Sequence, residues 1–441
     1  MRNDASMLDR AKPGPIPAKV GMLTEANRDS LLCDVLIVGG GPAGLAAAIA
    51  LRRHGLDVLV ADALVPPIDK ACGEGLMPDC RRQLLRLGVD LVGGCEFSGI
   101  HFALRAPRRE SLASAEFREG KGLGVRRVDL HRQLAEHAEA EGVRLKWGAR
   151  VDLGAGAVTV AGWACRYRYL VGADGEASRV RRWAGLEAES LRSERLGFRR
   201  HYRVAPWSDL VEVHWCDLGQ AYVTPVAEHE VCVAAVTSRR GAHFDDILQG
   251  LPYLREKLAG KPTLGRDRGA ATTTRRLLRV TRGNIALIGD ASGSADAVTG
   301  SGLASAFRQA SLLGEALGRD LIADYEAGHG KILRLPQAMA AALVAMDRWP
   351  ALRNRALRMM AGSPEIFAAM LALHTGEERL ARVAAAHGAR LAFRLLWPET
   401  NPSTRAQVAS HLPSEAKEPA RHFSRTVFAE TASLESCRDL V

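Results

Sequence analysis

Apolar residues run unbroken at 35–38 and again at 58–61, and between them the pattern turns helical over 43–54. Unbroken apolar runs mark strands buried on both faces. Strand, glycine turn, helix and strand in that order make a βαβ unit that opens a parallel sheet. The pattern next predicts a helix at 79–87, a hairpin from 97–104 and 112–118, and an amphipathic helix at 128–141. Leu130, Leu134 and Ala138 fall on one face of that helix. Strands follow at 143–147 and 157–160, and another begins at 170–172. Between 190 and 270 the character changes to short strands (HYRVAP, LVEVHWCD, AYVTPV, EVCVAAVTS) separated by turns, as in an antiparallel or mixed sheet. The strand-plus-glycine pattern returns at 283–290, and a helix is expected from about 302 to 319. From 330 to 395 the chain is rich in Ala, Leu and Arg and reads as helices broken at Pro336, Pro350 and Pro364.

These shifts predict an α/β protein. The parts are a flexible arm at 1–30, a first sheet-forming part at 31–185, an inserted β-sheet at 186–275 and a second part at 276–330. A helical region at 331–400 and a polar tail at 401–441 complete it. No repeat is visible.

Composition adds further constraints. Of the residues 47% are hydrophobic and 25% charged, the balance of a globular protein rather than a disordered one. No apolar run is long enough to span a bilayer. The first residues lack a secretory pattern, so a cytoplasmic location is the expectation. The net charge is +10, carried by 51 Arg and 9 Lys. The arginines lie in scattered pairs with no nucleic-acid-binding signature, so no nucleic-acid partner is expected. The eight cysteines form no C-x-x-C pair, which predicts reduced thiols and no metal site.

The chemistry starts at Gly39-x-Gly41-x-x-Gly44, directly after the first strand and opening the first helix as Pro42-Ala43-Gly44. Such glycines permit a tight turn, close approach of a pyrophosphate and close helix–strand packing. The helix N-terminus then faces the anion. Asp62 lies 18 residues beyond Gly44, where a carboxylate holds ribose hydroxyls. All of this predicts a dinucleotide but does not separate FAD from NAD.

Two later stretches separate them. GADGEASRVRR (172–182) resembles the second motif of the flavoprotein hydroxylases, and RGNIALIGDASGSADAVTGSGLASAFRQA (282–310) resembles their third. Three motifs in order identify the chain as similar to the flavoproteins with the p-hydroxybenzoate hydroxylase fold. That group includes aromatic hydroxylases, squalene-epoxidase-like enzymes, flavin halogenases and geranylgeranyl reductases. The resemblance implies a Rossmann-like FAD-binding domain with an inserted mixed β-sheet substrate domain and a C-terminal helical region. It implies that Gly39, Gly41, Pro42, Ala43, Gly44 and Asp62 hold the ADP half of FAD. It places Asp174 and Gly175 near the pyrophosphate, Asp290 on the ribitol, and the Gly300–Gly302 turn beside the flavin ring. Arg127, or equally Arg126, would reach the flavin phosphates.

DKACGEGLMP (69–78) resembles the K-x-C-G stretch of geranylgeranyl reductase-like enzymes, which brings Lys70, Cys72 and Gly73 close to the flavin. Cys72 and His214 are the candidate catalytic side chains, and a buried structural role is the alternative for each. His214, Trp215, Tyr222 and Thr224 are the candidate substrate-lining residues. The W-x-W-x-I-P signature of halogenases is absent.

The resemblance implies FAD as cofactor and NAD(P)H as reductant. The leading expectation is a monooxygenase that hydroxylates or epoxidises a phenolic, polyketide or isoprenoid small molecule. The alternative is a reductase of isoprenoid double bonds. The expected partner is therefore a small apolar or aromatic molecule. Helices in 331–397 read first as a cap closing the pocket, with peripheral membrane contact through an apolar side (Met359, Met360, Ile366, Phe367, Met370, Leu371) as the alternative.

Overall fold

The computed structural model describes residues 30–396 apart from 107–108, 155–156 and 188–189. The expected tail at 401–441, and the arm up to residue 29, lie outside the described residues. In chain order the main strands are β1 (Leu31–Val38), β2 (Val58–Asp62), β3 (Gly99–Ala106), β4 (Arg109–Glu116), β5 (Arg144–Trp147) and β6 (Trp163–Gly172). They continue with β7 (Ser190–Tyr202), β8 (Leu210–Cys216), β9 (Gly219–Ala227), β10 (Glu230–Thr237), β11 (Thr263–Arg276) and β12 (Ile285–Leu287). The main helices are α1 (Pro42–Arg53), α2 (Arg127–Ala140), α3 (Gly302–Gly318), α4 (Ile322–Arg348), α5 (Pro350–Ala361) and α6 (Pro364–His374).

One sheet runs β5-β2-β1-β6-β12, with every one of these pairings parallel. Its central strand is covered on both sides, which is why β1 reads as an apolar run. Val35 and Ile37 face a core shared with α1, α2 and α3, while Cys33 and Leu36 face a second core. α1 begins with Pro42 and carries Ala46, Ala47 and Ala48, all fully buried. These small side chains let α3 approach, and a Cβ on Gly314 would sit 3.0 Å from that of Ala50.

A second sheet is seven-stranded, in the order β11-β7-β10-β9-β8-β3-β4. β3 and β4 form the expected hairpin, with His101 opposite Ser114. One face of this sheet packs against α5 and α6 through Val213, Trp215, Ala113 and Ala115. The opposite face carries Ala221, Val223, Val233 and Ala235, covered by two short helices that supply Phe244, Ile247 and Leu254.

Three sequence expectations need correcting. The chain is helical straight through Pro336. His329, Leu333, Pro336 and Ala340 are all buried along one stripe of α4, so packing of that face outweighs the lost backbone hydrogen bond. The breaks at Pro350 and Pro364 do occur, each proline opening the next helix. The strand expected to begin at 170 instead ends at Gly172 and starts at Trp163, with an exposed polar first half. Finally, Met359, Met360, Ile366, Phe367 and Leu371 do not form a lipid-facing side. They are buried against the seven-stranded sheet. Among the described residues no single helix is long and apolar enough to cross a membrane, although the bent α5–α6 pair meets that test by length and composition.

Leu357 is fully buried at the centre of this helix–sheet contact. Leu357→Ala is expected to destabilise the fold by about 2–5 kcal/mol. A urea titration would show the midpoint fall with little change in slope.

Candidate functional site

The C-terminal ends of β1, β2, β6 and β12 open onto a cavity of about 530 Å³, closed on its far side by β7, β10 and β11. Ligands of open α/β sheets bind at this end of the strands. Gly39, Gly41, Pro42, Ala43, Asp62, Lys70, Cys72, Gly73, Arg127, Asp174, Gly175, Asp290, Gly300 and Gly302 all line it. Of the expected cofactor set, Arg126 falls outside the lining and pairs with Glu230 at 3.3 Å, and Gly44 stands behind the wall. A Cβ there would overlap the carbonyl oxygen of Gly39, so this glycine serves close packing.

Two helix N-termini point at the cavity without a side-chain cap. α1 starts from Gly41 and α3 from Ser301, and neither N-cap side chain bonds its helix. Their free N–H groups and dipoles favour an anion. Gly41 has no atom within 4 Å of the place a Cβ would take, so the room beside α1 is real. Arg127 lines the same space, and its Nε is buried with no hydrogen-bond partner. An orphaned guanidinium beside an uncapped helix start fits the diphosphate of a dinucleotide.

The carboxylates divide their work. Asp62 accepts from the N–H of Gly40 at 2.7 Å and of Leu64 at 2.8 Å, which fixes it at the end of β2. Its spare lone pairs remain available to ribose hydroxyls. Asp174 caps the short helix Arg179–Trp183, accepting from Ser178 and from the N–H groups of Arg179 and Val180. Its carboxylate is thus structural, and its backbone forms the wall. Asp290 pairs with Lys70 at 3.1 Å, joining two loops at the cavity edge.

The turn at Asp290 rests on a buried polar chain. Gln309 Oε1 accepts from the N–H of Gly289 at 2.8 Å, so the Gln309 amide nitrogen is left to donate to His329 Nε2 at 3.1 Å. His329 Nε2 also lies 2.9 Å from Ser292 Oγ, and burial pushes the pKa of His329 down to about 4.

The candidate substrate residues land elsewhere. β8 pairs His214 with Ala221, and Ala221 lies on the sheet face turned away from the cavity. His214 bonds Glu212 at 2.8 Å and stacks on Tyr253. Trp215 is buried edge-on against Phe102 beneath α6. The Tyr222 hydroxyl donates to Gln220, and Thr224 donates to the carbonyl of Gly73 at 2.8 Å. None of the four lines the cavity. Alternation turns His214 away, whereas Trp215, Tyr222 and Thr224 share the sheet face of Ala234 and Val236 but fall outside the cavity lining.

Other positions of the same sheet reach the cavity. Gly197 on β7, Ala234 and Val236 on β10, and Ala270 and Thr272 on β11 line the far wall. Behind Cys72 lies a buried polar group of Asp69, Glu74, Arg199 and His201. Glu74, His201 and Cys232 bring possible metal ligands within 4.8 Å of one another. Arg199 already occupies that carboxylate, however, and would face any bound cation.

The family model described as an FAD binding domain matches residues 32–327. The chain belongs to the FAD-binding flavoprotein family. It is an FAD-dependent oxidoreductase with the p-hydroxybenzoate hydroxylase fold. It is 26% identical over 313 residues to a digeranylgeranylglycerophospholipid reductase of Methanosarcina mazei, covering 64% of this chain and 74% of that protein. It is 33% identical over 168 residues to a rifampicin monooxygenase of Streptomyces venezuelae, covering 35% of this chain and 34% of that protein. Its fold matches the solved p-nitrophenol 4-monooxygenase of Pseudomonas putida with a TM-score of 0.63 at 20% identity, covering 83% and 98% of the two chains.

Two outcomes follow for the flavoprotein. Gly41→Ala should fold as the parent does yet lose FAD, because its methyl enters only the ligand's space. Gly44→Ala should lose stability as well as FAD. Thermal melting and flavin absorbance after desalting separate the two. Second, His329 is depressed from about 6.5 in the unfolded chain. It therefore contributes stability above that pH, which is lost as pH falls toward about 4. Parent and His329→Gln should differ in this loss by about 3 kcal/mol, read by chemical denaturation across that range.

Proposed function

We propose that the flavoprotein is an NAD(P)H-dependent monooxygenase that hydroxylates or epoxidises a small, neutral, apolar molecule. The observation that carries this reading is the wall formed by Gly197, Ala234, Val236, Ala270 and Thr272. It presents no charge and no acid or base. A phenolate or other ion would lose its hydration there with nothing to replace it. Of the phenolic, polyketide and isoprenoid classes, a neutral polyketide or isoprenoid with an accessible double bond suits this wall best.

In this reading Gly39, Gly41, Pro42, Ala43 and Asp62 hold the ADP half of FAD, with Gly44 allowing the helix to approach. Arg127, the backbone of Asp174 and Gly175, and the start of α1 hold the diphosphate. Asp290, Gly300 and Gly302 hold the remainder, with Lys70, Cys72 and Gly73 forming the opposite side. When bound, FAD accepts electrons from NAD(P)H and, once reduced, activates O₂. The chain's part is to orient substrate and exclude water, which the apolar wall does.

A second reading, reduction of an isoprenoid double bond, is favoured by the match to the Methanosarcina mazei reductase across 74% of its length. Saturating an alkene requires a proton as well as a hydride. Cys72 is the thiol on the cavity wall, its Sγ held 3.4 Å from the N–H of Glu74.

The test compares polyprenyl and neutral polyketide probes in air and under anaerobiosis. A monooxygenase yields product only with O₂, labelled from ¹⁸O₂. Cys72→Ala should then leave kcat within a few-fold. Anaerobic product formation, with Cys72→Ala slowing it by about 10²–10⁴-fold, would establish the reductase instead.

A further inference from the structure

We propose that Glu74 is a positioning residue of the flavin site. Its buried carboxylate, balanced by Arg199, anchors the 69–76 segment and sets the electrostatic potential at the bound flavin.

The Glu74 side chain is completely buried, yet it comes one residue after Gly73 on the cavity wall. Its backbone φ is +59°, a conformation that side chains other than glycine rarely adopt. Strain of this kind persists only where the surroundings over-determine it. Three donors do so here. The N–H of Arg127 reaches Oε1 at 2.9 Å, Arg199 reaches Oε1 at 2.9 Å, and His201 Nε2 lies 2.6 Å from Oε2.

The donors come from two parts of the site. Arg127 opens α2 and lines the cavity with its own guanidinium. Arg199 and His201 alternate on β7, on the face shared with Ala234 and Cys232. Arg199 also grips both oxygens of Asp69, at 2.8 and 2.9 Å, and Arg268 reaches Asp69 from β11 at 2.9 Å. Burial opposes the charge on Asp69, but these hydrogen bonds hold it below the usual carboxylate range. Burial pushes the Cys232 thiol well above its usual range, so it stays neutral. Two carboxylates therefore face two guanidiniums, with His201 as a further donor.

The cluster sits just beneath Lys70, Cys72 and Gly73. In a low-dielectric interior a change of one charge there is felt strongly in the adjoining cavity. Negative charge next to the site disfavours the anionic reduced flavin, and positive charge favours it.

The readout is the midpoint potential of FAD bound to the full chain, measured by equilibrium dye titration. It reports on the bound flavin whether the product is oxygenated or reduced, so its outcome is independent of the function proposed above. Glu74→Gln should shift the potential to more positive values, and Arg199→Met to more negative ones. The double variant, neutral again, should return toward the parent. A merely structural role predicts no such opposition of sign. An unmoved potential in a single variant that retains FAD overturns the proposal, and so do shifts of the same sign in both. If Glu74→Gln fails to fold or to retain flavin, Glu74→Asp and Arg199→Met decide. The first, keeping its charge, should match the parent potential, and a parent-like value in the second overturns the proposal.

Discussion

The site depends on one close approach. The turn Gly39–Gly44 carries α1 so near the ends of β1 and β6 that no side chain fits between them. A Cβ on Gly39 would overlap the backbone of Ala173, and one on Gly44 would overlap Gly39 itself. Because the helix start is pressed against the sheet, its free N–H groups open at the cavity floor rather than into solvent. The second sheet then has a fixed floor to close over.

Arginine ties the layers together. Arg181, Arg195, Arg199 and Arg353 are all nearly inaccessible, and each crosses between elements. Arg195 on β7 bridges Asp296, just before the Gly300 turn, and Asp347 at the end of α4. Arg353 on α5 reaches the carbonyl of Cys216 on β8. The planar guanidinium suits such crossings because it satisfies several acceptors at once. Part of the chain's basic excess is therefore interior framework. Buried pairs of this kind specify geometry more surely than they add stability.

The sequence was most readable where local pattern and tertiary role coincide. The βαβ unit at 35–61, the helix at 302–318 and the glycines of the three motifs follow from rules that need only a few neighbouring residues. Fourteen of the sixteen cofactor candidates therefore line one cavity. The far wall was not readable for the opposite reason. β11, TLGRDRGAATTTRR, is polar with two glycines, and it lacks the apolar alternation that marks a strand. His214 was the right kind of residue, but whether it faces the cavity depends on alternation that a one-residue slip reverses, while Thr224 is on the cavity's side of the sheet with its hydroxyl spent on the Gly73 carbonyl. Glu74, Arg199 and His201 resemble surface residues on composition alone. Only pairing across more than a hundred positions reveals them as interior.

β11 also has a bearing on solubility. It is fourteen residues long and forms the outer edge of its sheet, its outer backbone side bridged by Ser294 at Arg275 near the C-terminal end. Such an edge is a template on which a second chain could add a strand. Here the run Arg266-Asp267-Arg268 lies exposed between Gly265 and Gly269, and the pairing with β7 is irregular between Arg199 and His201. Charges at mid-edge and a local twist both discourage edge-to-edge pairing. The polar character that hid this strand from the sequence reading is thus a guard against aggregation.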